Sequence, residues 1–168
     1  EPTRASYAEA LKGLSRFNFK YARQRLRLLV EEQPDSQPIL ESSYHLEKLT
    51  PADGNFGKLA QHRIEEALLK QDYITMRSIF HDIQQSAPNR DAAKTYISAD
   101  YYLKILVLFI NNNAIDEAEH AFMFLELAGK KVLVQEACKL LIESFTEKQL
   151  LEKKEHYQAL YQTYLVDP

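Results

Sequence analysis

The pattern closest to chemistry in this chain is Glu117-Ala118-Glu119-His120, because Glu-x-x-His sets two metal-ligating side chains one helical turn apart on one face. Helical di-iron sites need a second such motif and two further glutamates, and the sequence holds no second copy, so no metal and no cofactor are expected. The single cysteine, Cys138, lies in an apolar run over 132–145 with only Lys139 as a charged neighbour, the setting of a packed thiol rather than a nucleophile. No Gly-x-Ser-x-Gly turn exposes a serine. Asp53-Gly54-Asn55-Phe56-Gly57 lacks the glycine spacing and the lysine of a phosphate-cradling loop and reads as a turn. The expectation is a chain with no catalytic residues, not an enzyme.

Two stripes are better suited to binding than to catalysis. Lys20, Arg23 and Arg27 fall at i, i+3 and i+7, within about 60° of one helix face, while Ala22, Leu26 and Leu29 line another. Such a basic stripe can hold an acidic peptide or a phosphate backbone; its ordinary counterpart is a solvated face, since Glu31 and Glu32 follow at once. Tyr157, Tyr161 and Tyr164 fall at i, i+4 and i+7 near the end of the chain. They either close a core or present an aromatic face to a partner or a second copy, because tyrosine combines large contact area with a polar tip.

Helices must position these residues. Apolar residues recur at helical spacing in about nine segments, over 7–15, 19–32, 38–49, 56–70, 73–86, 90–111, 115–128, 131–145 and 148–165. Strand-like alternation is almost absent, and four glycines in 168 residues leave little material for a turn-rich sheet protein. Pro34 and Pro88 close the second and fifth segments, because proline lacks the amide proton and disfavours helical geometry in the residue before it. Thr50-Pro51 starts the fourth segment, Asn111-Asn112-Asn113 ends the sixth, and Gly129 caps the seventh. The run over 101–110 is apolar on nearly every face and is expected to be the central post, surrounded by other helices.

Composition bounds the remaining possibilities. Twenty-one basic and 24 acidic residues give a net charge of −3, so no global field draws the chain to nucleic acid or to an anionic membrane. The longest apolar run is too short to span a bilayer. One cysteine and no Asn-x-Ser/Thr acceptor favour an intracellular setting, cytoplasmic or nuclear. The length fits one domain over 1–168, and a start at Glu1 suggests a domain excised from a larger protein.

Spacing at Ala22, Leu26 and Pro34, at Phe80 and Pro88, and at Ala118 and Phe122 resembles the tetratricopeptide repeat, over about half of the chain. In that family a small residue early in the second helix precedes an aromatic by four positions and a proline by twelve. Met76 replaces the small residue in the second copy, Lys130 replaces proline in the third, and the first-helix signature is missing. A second resemblance rests on Leu14-Ser15-Arg16-Phe17 leading to Phe19-Lys20-Tyr21-Ala22-Arg23, and Phe109-Ile110-Asn111-Asn112-Asn113 leading to Glu117-Ala118-Glu119-His120-Ala121-Phe122. This is similar to the telomere repeat factor homology domain, which implies homodimerisation and peptide docking within a larger DNA-binding protein.

The fold expected is therefore all-α: antiparallel helical hairpins, tetratricopeptide-like, in an array or bundle. The function expected is non-catalytic binding of a protein or peptide partner in a helical groove. A homodimerising, peptide-docking domain and a ligand-sensing helical regulatory domain are the alternatives, with no direct nucleic-acid contact and no membrane.

Overall fold

The computed structural model describes residues 3–51 and 55–166, and the described residues form ten α-helices and no strand. The chain gathers into two compact units, Glu1–His62 and Arg63–Pro168, with the division inside the fourth helix.

In the first unit, α1 (Arg4–Leu14), α2 (Phe19–Glu32) and α3 (Gln37–Glu47) pack against one another in all three pairings. Thr3 and Asn18 start the first two by accepting backbone amide protons three residues on, from Ser6 and Tyr21. Ala8, Leu11, Ala22, Leu26, Leu29, Ile39 and Leu46 form the core, with Phe19 and Val30 packed against it. The small residues at 8 and 22 let α1 and α2 approach this core closely. Tyr44 lies against Phe56, their ring centroids 5.4 Å apart, where α4 (Asn55–Lys70) begins. Part of the expected turn over Asp53-Gly54-Asn55 lies outside the described residues.

The second unit holds the remainder of α4 and α5 (Tyr73–Ser86), α6 (Arg90–Ala93), α7 (Ala99–Asn111), α8 (Ile115–Ala128), α9 (Lys131–Glu147) and α10 (Leu151–Val166). Helix α7 is the central post: it packs on α5, α8 and α9, and buries Tyr102, Ile105, Leu106, Leu108 and Phe109. Phe80 meets Phe109 and Phe124 edge-on at 5.7 and 5.6 Å, and Tyr102 stacks on Phe124 at 5.5 Å. Helices α7 and α8 form one hairpin and α9 and α10 another, with α9 also packing on α8.

The expected helix over 90–111 is two helices. After α6 the backbone carbonyls of Ala92 and Ala93 accept hydrogen bonds from the amides three residues on, of Thr95 and Tyr96, and from side-chain hydroxyls as well, Thr95 Oγ1 at 2.8 Å and Tyr102 at 2.7 Å. The Tyr96 hydroxyl likewise donates to the Ser86 carbonyl at 3.2 Å. With those acceptors satisfied off the helix ladder, the chain turns, and α7 restarts after Ser98.

Three helix ends share one geometry. Gln71, Asn113 and Gln149 take φ of 51°, 58° and 57°. At each, the next amide reaches back five residues, from Asp72 to Ala67, Ala114 to Phe109 and Leu150 to Phe145, at 2.8 to 2.9 Å. The left-handed residue itself bonds three back, to Leu68, Ile110 and Thr146. This is the Schellman closure, and it recurs at each of these helix ends. Gly129, at φ 73°, ends α8 in left-handed geometry as its residue type predicts.

Candidate docking groove

Helix α8 buries Ala118, Ala121, Phe122, Phe124 and Leu125. At 100° per residue, Asp116, Glu119, Met123 and Glu126 then form a second stripe, flanked by His120 and Leu127. Across from it, α10 supplies His156, Tyr157 and Leu160, enclosing a depression of about 490 Å³ with that stripe. A second depression of about 670 Å³ is lined by Met123, Glu126, Leu127 and Tyr164, with Asn89, Arg90 and Asp91 at the start of α6. Met123 and Glu126 line both, so the two depressions adjoin along α8, and the groove is the pair taken together. From Asp116 to Leu127 it runs for about 16 Å, enough for three turns of a docked helix.

Carboxylates on this wall are held in place by phenols. The Tyr157 hydroxyl donates to Glu119 at 3.0 Å, and Lys153 Nζ approaches the other oxygen of that carboxylate at 2.7 Å. The Tyr164 hydroxyl donates to Glu126 at 3.0 Å. Burial pushes the Tyr164 phenol up to about 12, with the hydrogen bond to Glu126 adding to the shift. Tyr157 is raised further, by burial first and then by the charge of Glu119. Both phenols therefore remain protonated donors across the physiological range. Hydrogen bonding to Glu119 raises the Lys153 ammonium above its ordinary value, against a smaller effect of burial. The result is an apolar floor of Met123, Leu127 and Leu160, backed by buried Phe122, with a carboxylate rim of fixed orientation.

The tyrosine stripe divides between core, groove and the α9 side. Tyr157 is core, packed edge-on against Phe122 at 5.1 Å and tilted on Phe145 at 5.5 Å. Tyr164 borders the groove, and Tyr161 sits under Lys139, 5.7 Å from ammonium to ring centre. The residues of the basic stripe differ in their surroundings. Lys20 is exposed, Arg23 lies over the Phe19 ring at 5.2 Å, and Arg27 is committed to the buried carboxylate of Glu47. Its charge serves the packing of α2 on α3.

Glu117 and His120 do not converge on a common point. Glu117 accepts a hydrogen bond from the Tyr73 hydroxyl at 2.9 Å and lies 3.3 Å from Arg77 Nε, whereas His120 borders the groove. Among the described residues no group of three or more His, Cys, Asp and Glu is placed to hold a metal. Cys138 is buried in α9, and burial pushes its thiol up to about 11, an environment that suppresses the thiolate. No helix among the described residues is long and apolar enough to cross a membrane.

Sequence reasoning missed Asp116, Met123, Glu126, Leu127, Leu160 and the start of α6. The signal was present in α8, where positions 116, 119, 123 and 126 follow the helical period. It was hidden by the overlapping Glu-x-x-His.

No protein-family model, curated protein or solved structure matches the chain. The described residues form ten helices and are compatible with a helical-hairpin fold.

Proposed function

We propose that this chain is a non-catalytic binding domain that takes a peptide or partner helix into the groove along α8. The observation that carries this reading is the groove itself: a lining about three helical turns long with an apolar floor at its centre, beside carboxylates that Tyr157, Lys153 and Tyr164 hold in fixed orientation. A preformed concave face with few, oriented polar groups keeps the ordering cost of binding low. The tetratricopeptide-like reading fits here, because hairpins stacked side by side leave such faces between helices.

Selection of displayed peptides on the purified chain tests it. The expected outcome is a consensus with apolar anchors at helical spacing whose binding is lost in Met123→Asp, a variant placed on the groove floor outside the buried core. A consensus indifferent to Met123→Asp, or none at all, defeats the reading.

A second reading, homodimerisation of the kind the telomere repeat factor homology resemblance implies, is favoured by a different observation. In the first unit Tyr7, Leu14, Phe17, Tyr21 and Leu28 of the α1–α2 hairpin are exposed, Phe17 to 87%. Exposed aromatics grouped on one hairpin are the raw material of an interface. Sedimentation of wild type against Phe17→Ser/Tyr21→Ser separates the readings: a dimer lost in the variant supports this one, and a monomeric wild type removes it.

A further inference from the structure

The occupant of the α8 groove can be narrowed by its charge. We infer that it is a cationic amphipathic helix, with an apolar anchor between two basic residues spaced ten or eleven positions apart; this inference rests on the docking reading above.

Around the groove the acidic residues are Asp91, Asp116, Glu119 and Glu126, against Arg90 and the two histidines His120 and His156. Lys153 offsets Glu119, and Lys94 approaches Asp91 at 3.7 Å. The charge left to recognise a ligand is therefore greatest at Glu126 and at exposed Asp116, which Lys153 also attracts at longer range. Asp116 is exposed at the start of α8. Glu126 accepts one phenol hydrogen bond, and a carboxylate has acceptor sites for more. Ten residues of helix separate the two by about 15 Å, with Met123 and the apolar floor between them. A ligand helix lying along α8 meets both carboxylates only if its own cations have that spacing and its apolar face points into the floor. The same rim repels phosphate, so a nucleic-acid backbone is the wrong charge for this surface.

The test uses three synthetic 15-residue probes on the whole chain, each with leucines at the same helical positions. The first carries lysines at positions 3 and 13, the second glutamates there, and the third lysines at positions 3 and 8. Binding is read by fluorescence anisotropy at low and raised salt, and located by amide chemical-shift changes. The first probe is expected to bind at α8 and α10 at least about tenfold more tightly than the second, and more tightly than the third. Its affinity should weaken with salt and fall about three- to tenfold in Asp116→Asn/Glu126→Gln, as expected of two partly solvated ion pairs. Equal binding of all three probes in the groove overturns the charge inference and leaves the docking reading standing. No binding by any probe, or shifts confined to other helices, overturns both.

Discussion

Arg27 holds Glu47 by both carboxylate oxygens, Nε to Oε1 at 2.7 Å and Nη2 to Oε2 at 3.1 Å, and the glutamate side chain is only 1% exposed. This fork joins α2 to α3 and allows a carboxylate to sit inside the first unit. A buried charge that loses its partner is strongly destabilising, by about 3–5 kcal/mol for a fully buried pair. Because Arg27 is itself 35% exposed, Arg27→Ala is expected to cost less, about 2–3 kcal/mol in urea unfolding. Arg27→Lys should fall between the two, keeping the charge and losing the bidentate geometry. An alanine variant as stable as wild type would show that the pair contributes nothing net.

The helix ends offer a prediction of opposite sign. A residue with a β-carbon held at positive φ is strained by roughly 1 kcal/mol, and glycine relieves that strain while gaining freedom in the unfolded chain. Gln149→Gly is therefore expected to stabilise by up to about 0.5 kcal/mol, the relieved strain being partly offset by that freedom, and Gln71→Gly by less, since it also loses the side-chain bond to the Leu68 carbonyl; both sit at φ above 50° in exposed Schellman closures. Gly129→Ala, at φ 73°, should destabilise by about 1 kcal/mol despite open space around its added methyl. Thermal unfolding of the three variants checks both signs. A uniform loss across them would mean that the glutamine side chains contribute more than their backbone strain costs.

The hairpin habit was legible because its cause is local. Asn113 and Gly129 advertise left-handed helix ends, Pro34 and Pro88 stop helices, and apolar spacing located 73–86 and 115–128 to the residue as α5 and α8. Gln71 and Gln149 are silent by residue type, because glutamine has no special tolerance for positive φ and is held there by the closure around it. The break at 94–98 was equally silent: it depends on Tyr96 and Tyr102 reaching carbonyls from outside the segment's own turns. The groove was the least legible part. Whether an acidic position on α8 faces solvent or another helix is decided by where α10 lies, and periodicity within one helix carries no such information. Arg27 illustrates the same limit, since its place in a basic stripe says nothing of Glu47 twenty residues on.

Tyr157 separates packing from docking. Its ring completes a cluster with Phe122 and Phe145, and its side chain is almost wholly enclosed. Tyr157→Ser should lower stability by about 3–5 kcal/mol, as for truncation of a buried aromatic, and Phe122→Ala by a similar amount. Tyr157→Phe keeps the ring and removes only the hydrogen bond to Glu119, which Lys153 still holds, so a loss of about 1 kcal/mol is expected. Calorimetry of the three variants would contradict the packing assignment if the serine variant matched the phenylalanine one.

Alkaline pH should unfold the second unit through its buried phenols and thiol. Tyr164 is raised from an ordinary 10.0 to about 12, and Cys138 from 9.0 to about 11, in both cases first by burial. Tyr157 moves in the same direction for the same leading cause. A folded-state pKa above the unfolded one means that the native protein binds the proton more tightly, so the unfolded state loses it first as pH rises. The stabilising contribution is complete below about pH 9 and declines from there through about pH 12 as each group passes from its unfolded to its folded pKa. Urea midpoints are therefore expected to be independent of these groups near neutrality and to fall progressively above pH 9. Ultraviolet titration at alkaline pH should show the exposed tyrosines ionising first, with Tyr157 and Tyr164 following only as the helical circular dichroism is lost. Cys138 should stay unreactive to a thiol reagent until the same point. Full phenolate absorbance near pH 10.5 with intact helicity would place Tyr157 and Tyr164 in solvent and remove the hydrogen bonds that orient Glu119 and Glu126 in the groove.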